Sequence, residues 1–126
     1  MSANQNNPVG WFEIYVQDMN RAKKFYEAVF QTKLTELPSP IIKMLAFPMS
    51  RDSSGCAGAL VHMPGVESRM GGTIVYFTCS DCAIEAERAS KNGGKIHKPK
   101  FPIGDYGFIA LVYDTESNMF GLHSMK

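Results

Sequence analysis

Between Gly10 and Tyr26 the chain reads "GWFEIYVQDMNRAKKFY", and its apolar positions change period partway. Phe12, Ile14 and Val16 alternate with their neighbours, the signature of a half-buried strand. Beyond Asp18 the apolar residues are Ala22, Phe25, Tyr26, Val29 and Phe30, spaced as one face of a helix. An aspartate at the junction supplies a side-chain acceptor for the free N–H groups of the first turn. The pattern predicts a strand running directly into a helix. It recurs at 72–94, "GTIVYFTCSDCAIEAERASKNGG", where Asp81 stands 63 residues beyond Asp18. At that spacing Phe12, Ile14 and Val16 fall on Val75, Phe77 and Cys79, while Trp11, Glu13 and Tyr15 fall on Ile74, Tyr76 and Thr78.

The apolar stretches that follow also line up. "MLAFPM" (44–49) lies opposite "GFIALV" (107–112), and "CAGALVH" (56–62) lies opposite the start of "MFGLHSMK" (119–126), with Gly58 on Gly121. "RDSSG" (51–55) and "DTESN" (114–118) are matching turns, and Gly93-Gly94 closes the second helix. Each half is therefore expected to be strand, helix, three strands. In each, the Phe12-type strand face packs on the helix, and the Trp11-type face lines something shared.

Composition narrows the class. With 126 residues, 44% of them hydrophobic, the chain is expected to form one domain with a real core, spanning 1–126 and built of units at about 8–63 and 71–126. A net charge of +1 without a basic stripe argues against nucleic acid, and no apolar run is long enough to cross a bilayer. "SANQNNP" (2–8) reads as a frayed tail rather than a signal peptide. Three cysteines make no disulfide scaffold, so a cytoplasmic protein is expected.

The tandem pattern, with Val16, Asp18, Arg21, Ala22, Phe25 and Tyr26 after the first strand, resembles the vicinal oxygen chelate superfamily. Gly93-Gly94, "GDYGF" (104–108) and the "GLHS" of the last strand carry the likeness into the second half. That superfamily holds glyoxalase I, extradiol dioxygenases and the bleomycin and fosfomycin resistance proteins. The resemblance implies an α+β fold in which tandem βαβββ modules form an open, cleft-containing barrel, commonly as a homodimer. It also implies a divalent metal held by the first and last strands of each module. The matching positions here are Trp11, Gly58, Ile74 and Gly121. None of them offers a donor atom, so no metal and no other cofactor is expected.

Strand parity then predicts the residues facing the cleft: Trp11, Glu13, Tyr15, His62, Tyr76, Thr78 and His123. Tyr106 in "GDYGF" is a candidate lid, and Arg69 in "PGVESRMGG" (64–72) a weak candidate for an anionic ligand. Trp11, Tyr15, His62, Tyr76, Thr78 and Tyr106 are the expected ligand contacts. Glu13 and His123 are the candidate catalytic pair, because burial would raise the pKa of a carboxyl on an aromatic strand. The plain alternative makes Glu13 a structural hydrogen-bonding group. His97, beside Lys95 and Lys98, reads as exposed. "CSDC" (79–82) has C-x-x-C spacing before a helix, yet Cys79 and Cys82 match Val16 and Met19 and read as small hydrophobes; Cys56 lies beside a turn and could be accessible.

Three functions compete. The first is a metal-free module that binds a small organic molecule without transforming it. The second is a lyase or isomerase of the glyoxalase kind, using Glu13 and His123 or a metal at unorthodox positions. The third is a dimeric interaction protein with a collapsed cleft.

Overall fold

The computed structural model describes residues 7–69 and 71–126. Most of the N-terminal tail, and Met70 of the 64–72 connection, lie outside these. The elements run β1 (Val9–Tyr15), α1 (Met19–Phe30), β2 (Thr35–Leu37), β3 (Lys43–Ala46), β4 (Ala59–His62), β5 (Thr73–Thr78), α2 (Cys82–Lys91), β6 (Lys95–Pro102), β7 (Phe108–Tyr113) and β8 (Met119–Ser124). This is an α+β chain written as βαβββ twice. It divides into two compact units, one of residues 11–73 and one of residues 74–126 together with residues 7–10.

In the first unit the strand order is β2-β3-β4-β1, with β1 parallel to β4 and the others antiparallel. Asp18 caps α1 as the change of period predicts: its backbone is extended and its carboxylate accepts the Arg21 N–H at 3.0 Å. Val16, Met19, Leu34, Leu45 and Leu60 form the core, with Ile14, Ala22, Tyr26 and Phe47 packed around it. The apolar stripe of α1 is wider than this core can cover. Ala22 and Tyr26 reach the core, while Phe25, Val29 and Phe30 stay 59%, 53% and 63% exposed.

The second unit repeats the order as β5-β8-β7-β6, with β5 parallel to β8. Asp81 caps α2, accepting the Ala83 N–H at 3.1 Å and pairing with Lys100 of β6 at 2.9 Å. The helix ends on Gly93, whose φ of +98° lets the Gly94 N–H return to the Ala89 carbonyl at 2.9 Å. Cys82, Ala86, Ala110, Val112 and Leu122 form this core, with Phe77, Cys79 and Phe120 against it. Residues 7–10 belong here too, since the Pro8 carbonyl accepts the Thr78 N–H at 2.9 Å.

Cys79 and Cys82 behave as their core positions predict. All three cysteines are free thiols, Cys82 fully buried and Cys56 half-buried. Burial pushes the Cys79 thiol up to about 12, and the nearby Glu85 carboxylate adds to the rise. Such a thiol is a poor nucleophile at neutral pH.

Candidate functional site

On the first strand, Glu13 and Tyr15 sit two residues apart on the face opposite α1. Both are buried, Glu13 at 8% exposure, and the Tyr15 hydroxyl donates to Glu13 Oε1 at 2.8 Å. A buried carboxylate is tolerated only where donors replace its lost water, and this phenol is one of them. Trp11, half-buried, shares the face by parity.

Pairing of β1 with β4 corrects the rest of the predicted list for this half. Glu13 lies opposite Ala59, Ile14 opposite Leu60 and Tyr15 opposite Val61. Gly58 therefore falls with Phe12 on the helix side, not with Trp11, and a Cβ built on it would lie 2.3 Å from Phe12 Cζ. His62 shares Leu60's side as well. Its Nδ1 stands 3.0 Å from the Val16 carbonyl oxygen, and because a carbonyl only accepts, Nδ1 carries the proton. His62 is thus removed from the Glu13 face. The residues that share this face are instead Ala59, Val61, Ala46 and Met44, apolar positions that pairing register alone identifies.

In the second unit Tyr76 lies opposite Gly121 and Thr78 opposite His123, so these four share one face as predicted. The Tyr76 ring lies over Gly121, where an added Cβ would meet Tyr76 Cδ2 at 2.2 Å. Tyr76 corresponds to Glu13, so the counterpart of Gly121 is Ala59, 62 residues earlier rather than 63. Parity counts through a strand but not through a loop, and one residue of difference in the connections inverts the face.

His123 Nε2 bonds the Tyr106 carbonyl, which ties the last strand to the 3-10 turn Gly104–Tyr106. Tyr106 itself is exposed. The turn is built for tight packing. Gly107 has a φ of +100°, and a Cβ there would meet the Ser124 carbonyl oxygen at 2.5 Å. Arg69, also at positive φ, lies in the connection between the units, and His97 is exposed with its ring edge-on to Tyr113.

The donor set does not fit a divalent metal. Trp11, Ile74 and Gly121 have no ligating atom, and neither Gly58 nor its replacement Ala59 supplies one. Among the described residues no three His, Cys, Asp or Glu side chains gather as a ligand group. None of the described helices is long and apolar enough to cross a membrane.

Comparison with known proteins adds the following. A family model described as Glyoxalase/Bleomycin resistance protein/Dioxygenase superfamily matches residues 9–122. No curated protein matches the chain. Among solved structures, methylmalonyl-CoA epimerase from Mycobacterium tuberculosis aligns with a TM-score of 0.68 at 13% identity, over 100% of this chain and 93% of that one. A hypothetical protein from Bacillus halodurans C-125 aligns with a TM-score of 0.70 at 13% identity, over 94% of each. A Streptomyces coelicolor methylmalonyl-CoA epimerase variant in complex with 2-nitronate-propionyl-CoA aligns with a TM-score of 0.66 at 12% identity, over 94% of this chain and 97% of that one. At such identities the likeness concerns the fold.

Proposed function

Because this chain belongs to the glyoxalase/bleomycin resistance protein/dioxygenase superfamily, we propose that it binds a small organic molecule, without a metal, against the strand face of Trp11, Glu13 and Tyr15. The observation that carries this reading is the buried Glu13 carboxylate, hydrogen-bonded by the Tyr15 hydroxyl and set over Ala59 and Val61. An apolar floor with one oriented polar group is the usual make-up of a small-molecule site. Methylmalonyl-CoA epimerases of this fold are in complex with 2-nitronate-propionyl-CoA and with methylmalonyl-CoA, which supports an organic ligand. Single-domain architecture, a cytoplasmic location and pairing of two copies complete the proposal.

A second reading is proton-transfer chemistry of the isomerase kind. It is favoured by the same carboxylate, which can take a proton from a carbon acid while Tyr15 holds it in place. His123 of the second unit is a separate candidate for proton transfer, its Nε2 held by the Tyr106 carbonyl.

A thermal-shift screen of small aromatic and carbonyl compounds, followed by titration against the fluorescence of Trp11, separates the readings. The expected result is a compound that quenches Trp11, is recovered unchanged, and still binds Glu13→Gln. A compound that is converted, with conversion lost in Glu13→Gln, replaces the binding module by the enzyme. Zinc, nickel or manganese added to chelator-treated protein is expected to leave the thermal midpoint in place. A specific ion at a hundredfold excess over its Kd would add about 2.7 kcal/mol, and a shift of that size overturns the metal-free reading.

A further inference from the structure

The outer face of α1 is an apolar feature that the proposed site leaves unused. Phe25, Val29 and Phe30 project from the helix and are each more than half exposed. They are not loose. Tyr26, anchored edge-on against Phe47 in the core, stands edge-to-face with Phe25 at 5.1 Å and stacks on Phe30 at 6.4 Å. Rigid aromatic knobs set beside a depression are the anatomy of a protein contact. The depression lies one turn back, an open hollow of about 320 Å³ walled by Val16, Asp18, Arg21, Ala22, Phe25 and Ser68.

We propose that this face of α1 docks a second copy of the chain, the two helices packing antiparallel about a two-fold axis near Phe25. The self-association assumed in the functional proposal is the premise; the surface is the new element. Charge selects the occupant. The last turn of α1 carries no basic residue, so its free carbonyls form an uncompensated negative pole. Arg21, at the other end of the stripe, is held only loosely, 4.0 Å from Asp18, with its side chain 76% exposed. In an antiparallel pair centred on Phe25, Arg21 of each copy falls beside the last turn of the other. Val29 of each copy then falls at the level of the other's Arg21 and Ala22, beside the hollow, and the small Ala22 and Ala28 allow close approach. A two-fold contact is isologous, so one sequence satisfies both sides.

Size-exclusion chromatography with light scattering, over a concentration series, tests the proposal. The wild-type chain is expected at twice its 14.0 kDa mass, whereas Phe25→Glu, and Val29→Lys with its cation beside the other copy's Arg21, are expected at 14.0 kDa itself, with unchanged circular dichroism because both residues are already exposed. Arg21→Glu should weaken the dimer at least tenfold more than Lys24→Glu. A monomeric wild type overturns self-association and the surface together. A dimer that survives Phe25→Glu and Val29→Lys overturns the surface alone. Wild-type protein that is monomeric but sediments with vesicles of phosphatidylserine and phosphatidylcholine assigns the same face to a membrane and overturns the second copy as occupant.

Discussion

Gly58 and Gly121 look like one position written twice, and each has an aromatic ring laid against it. The rings come from opposite sides. Phe12 covers Gly58 on the helix side, whereas Tyr76 covers Gly121 on the other face. In both places the absent side chain is what lets the ring approach the backbone. Gly121→Ala should therefore force the Tyr76 ring out of place and cost about 1–3 kcal/mol, the usual cost of overpacking. Chemical denaturation measures that loss directly, and Tyr76→Leu in the same chain should relieve much of it. If Gly121→Ala alone is neutral, the ring is not packed on the glycine. Glu13 was legible as an unusual residue because a carboxylate interrupts an aromatic strand, and parity placed Tyr15 on its face, but that Tyr15 is its hydrogen-bond partner was not legible. His62 was not, because its side of the sheet depends on a loop.

At the scale of elements the two halves agree best where strand gives way to helix. Asp18 and Asp81 are both extended N-caps, 63 residues apart as the change of period requires. They differ in surroundings. Asp18 bonds the Arg21 N–H and has only a distant, exposed arginine, while Asp81 bonds Ala83 and is paired with Lys100, whose ammonium also lies 4.8 Å from the Phe108 ring centre. Asp18→Ala should cost about 1 kcal/mol, the typical loss of a cap. Asp81→Ala should be the more damaging, since it also frees Lys100, and Lys100→Met should bring the two caps closer together in effect. Thermal unfolding of these three variants, and of Asp81→Ala combined with Lys100→Met, checks the order. The stripe on α1 shows the limit of periodicity: it identifies an apolar face but not how much of that face the core has room to cover.

For the whole molecule, acid is the informative stress. Glu27 is held below its ordinary 4.5 chiefly by the Leu34 N–H, with Lys23 beside it. Asp81 is held below 3.8 first by Lys100, and Asp114 below 3.8 first by the Asn118 N–H across the β7–β8 turn. A carboxyl with a lower pKa folded than unfolded stabilises the fold above its unfolded pKa, and this contribution disappears as pH falls through the folded value. The thermal midpoint should therefore be insensitive to these groups above pH 4.5 and should fall below it. Asp114→Asn should lose stability near neutral pH and show a shallower acid slope. An unchanged slope in that variant would remove Asp114 from the explanation.

The repeat, the two capped helices and the turns could all be read from the chain, because each depends on residue type at short spacing. Side-chain period, capping and turn chemistry act over a few residues, so one sequence window contains everything needed. The residues around Glu13 could not be read this way. Ala59, Val61, Ala46 and Met44 reach it only through strand pairing across more than thirty residues of sequence, and a single residue of loop length turns every side chain of a strand to its other face. Tertiary structure decided that register. It also decided that Phe25, Val29 and Phe30 stay outside, because the number of apolar residues a helix carries is local, whereas the area available to bury them belongs to the packed fold.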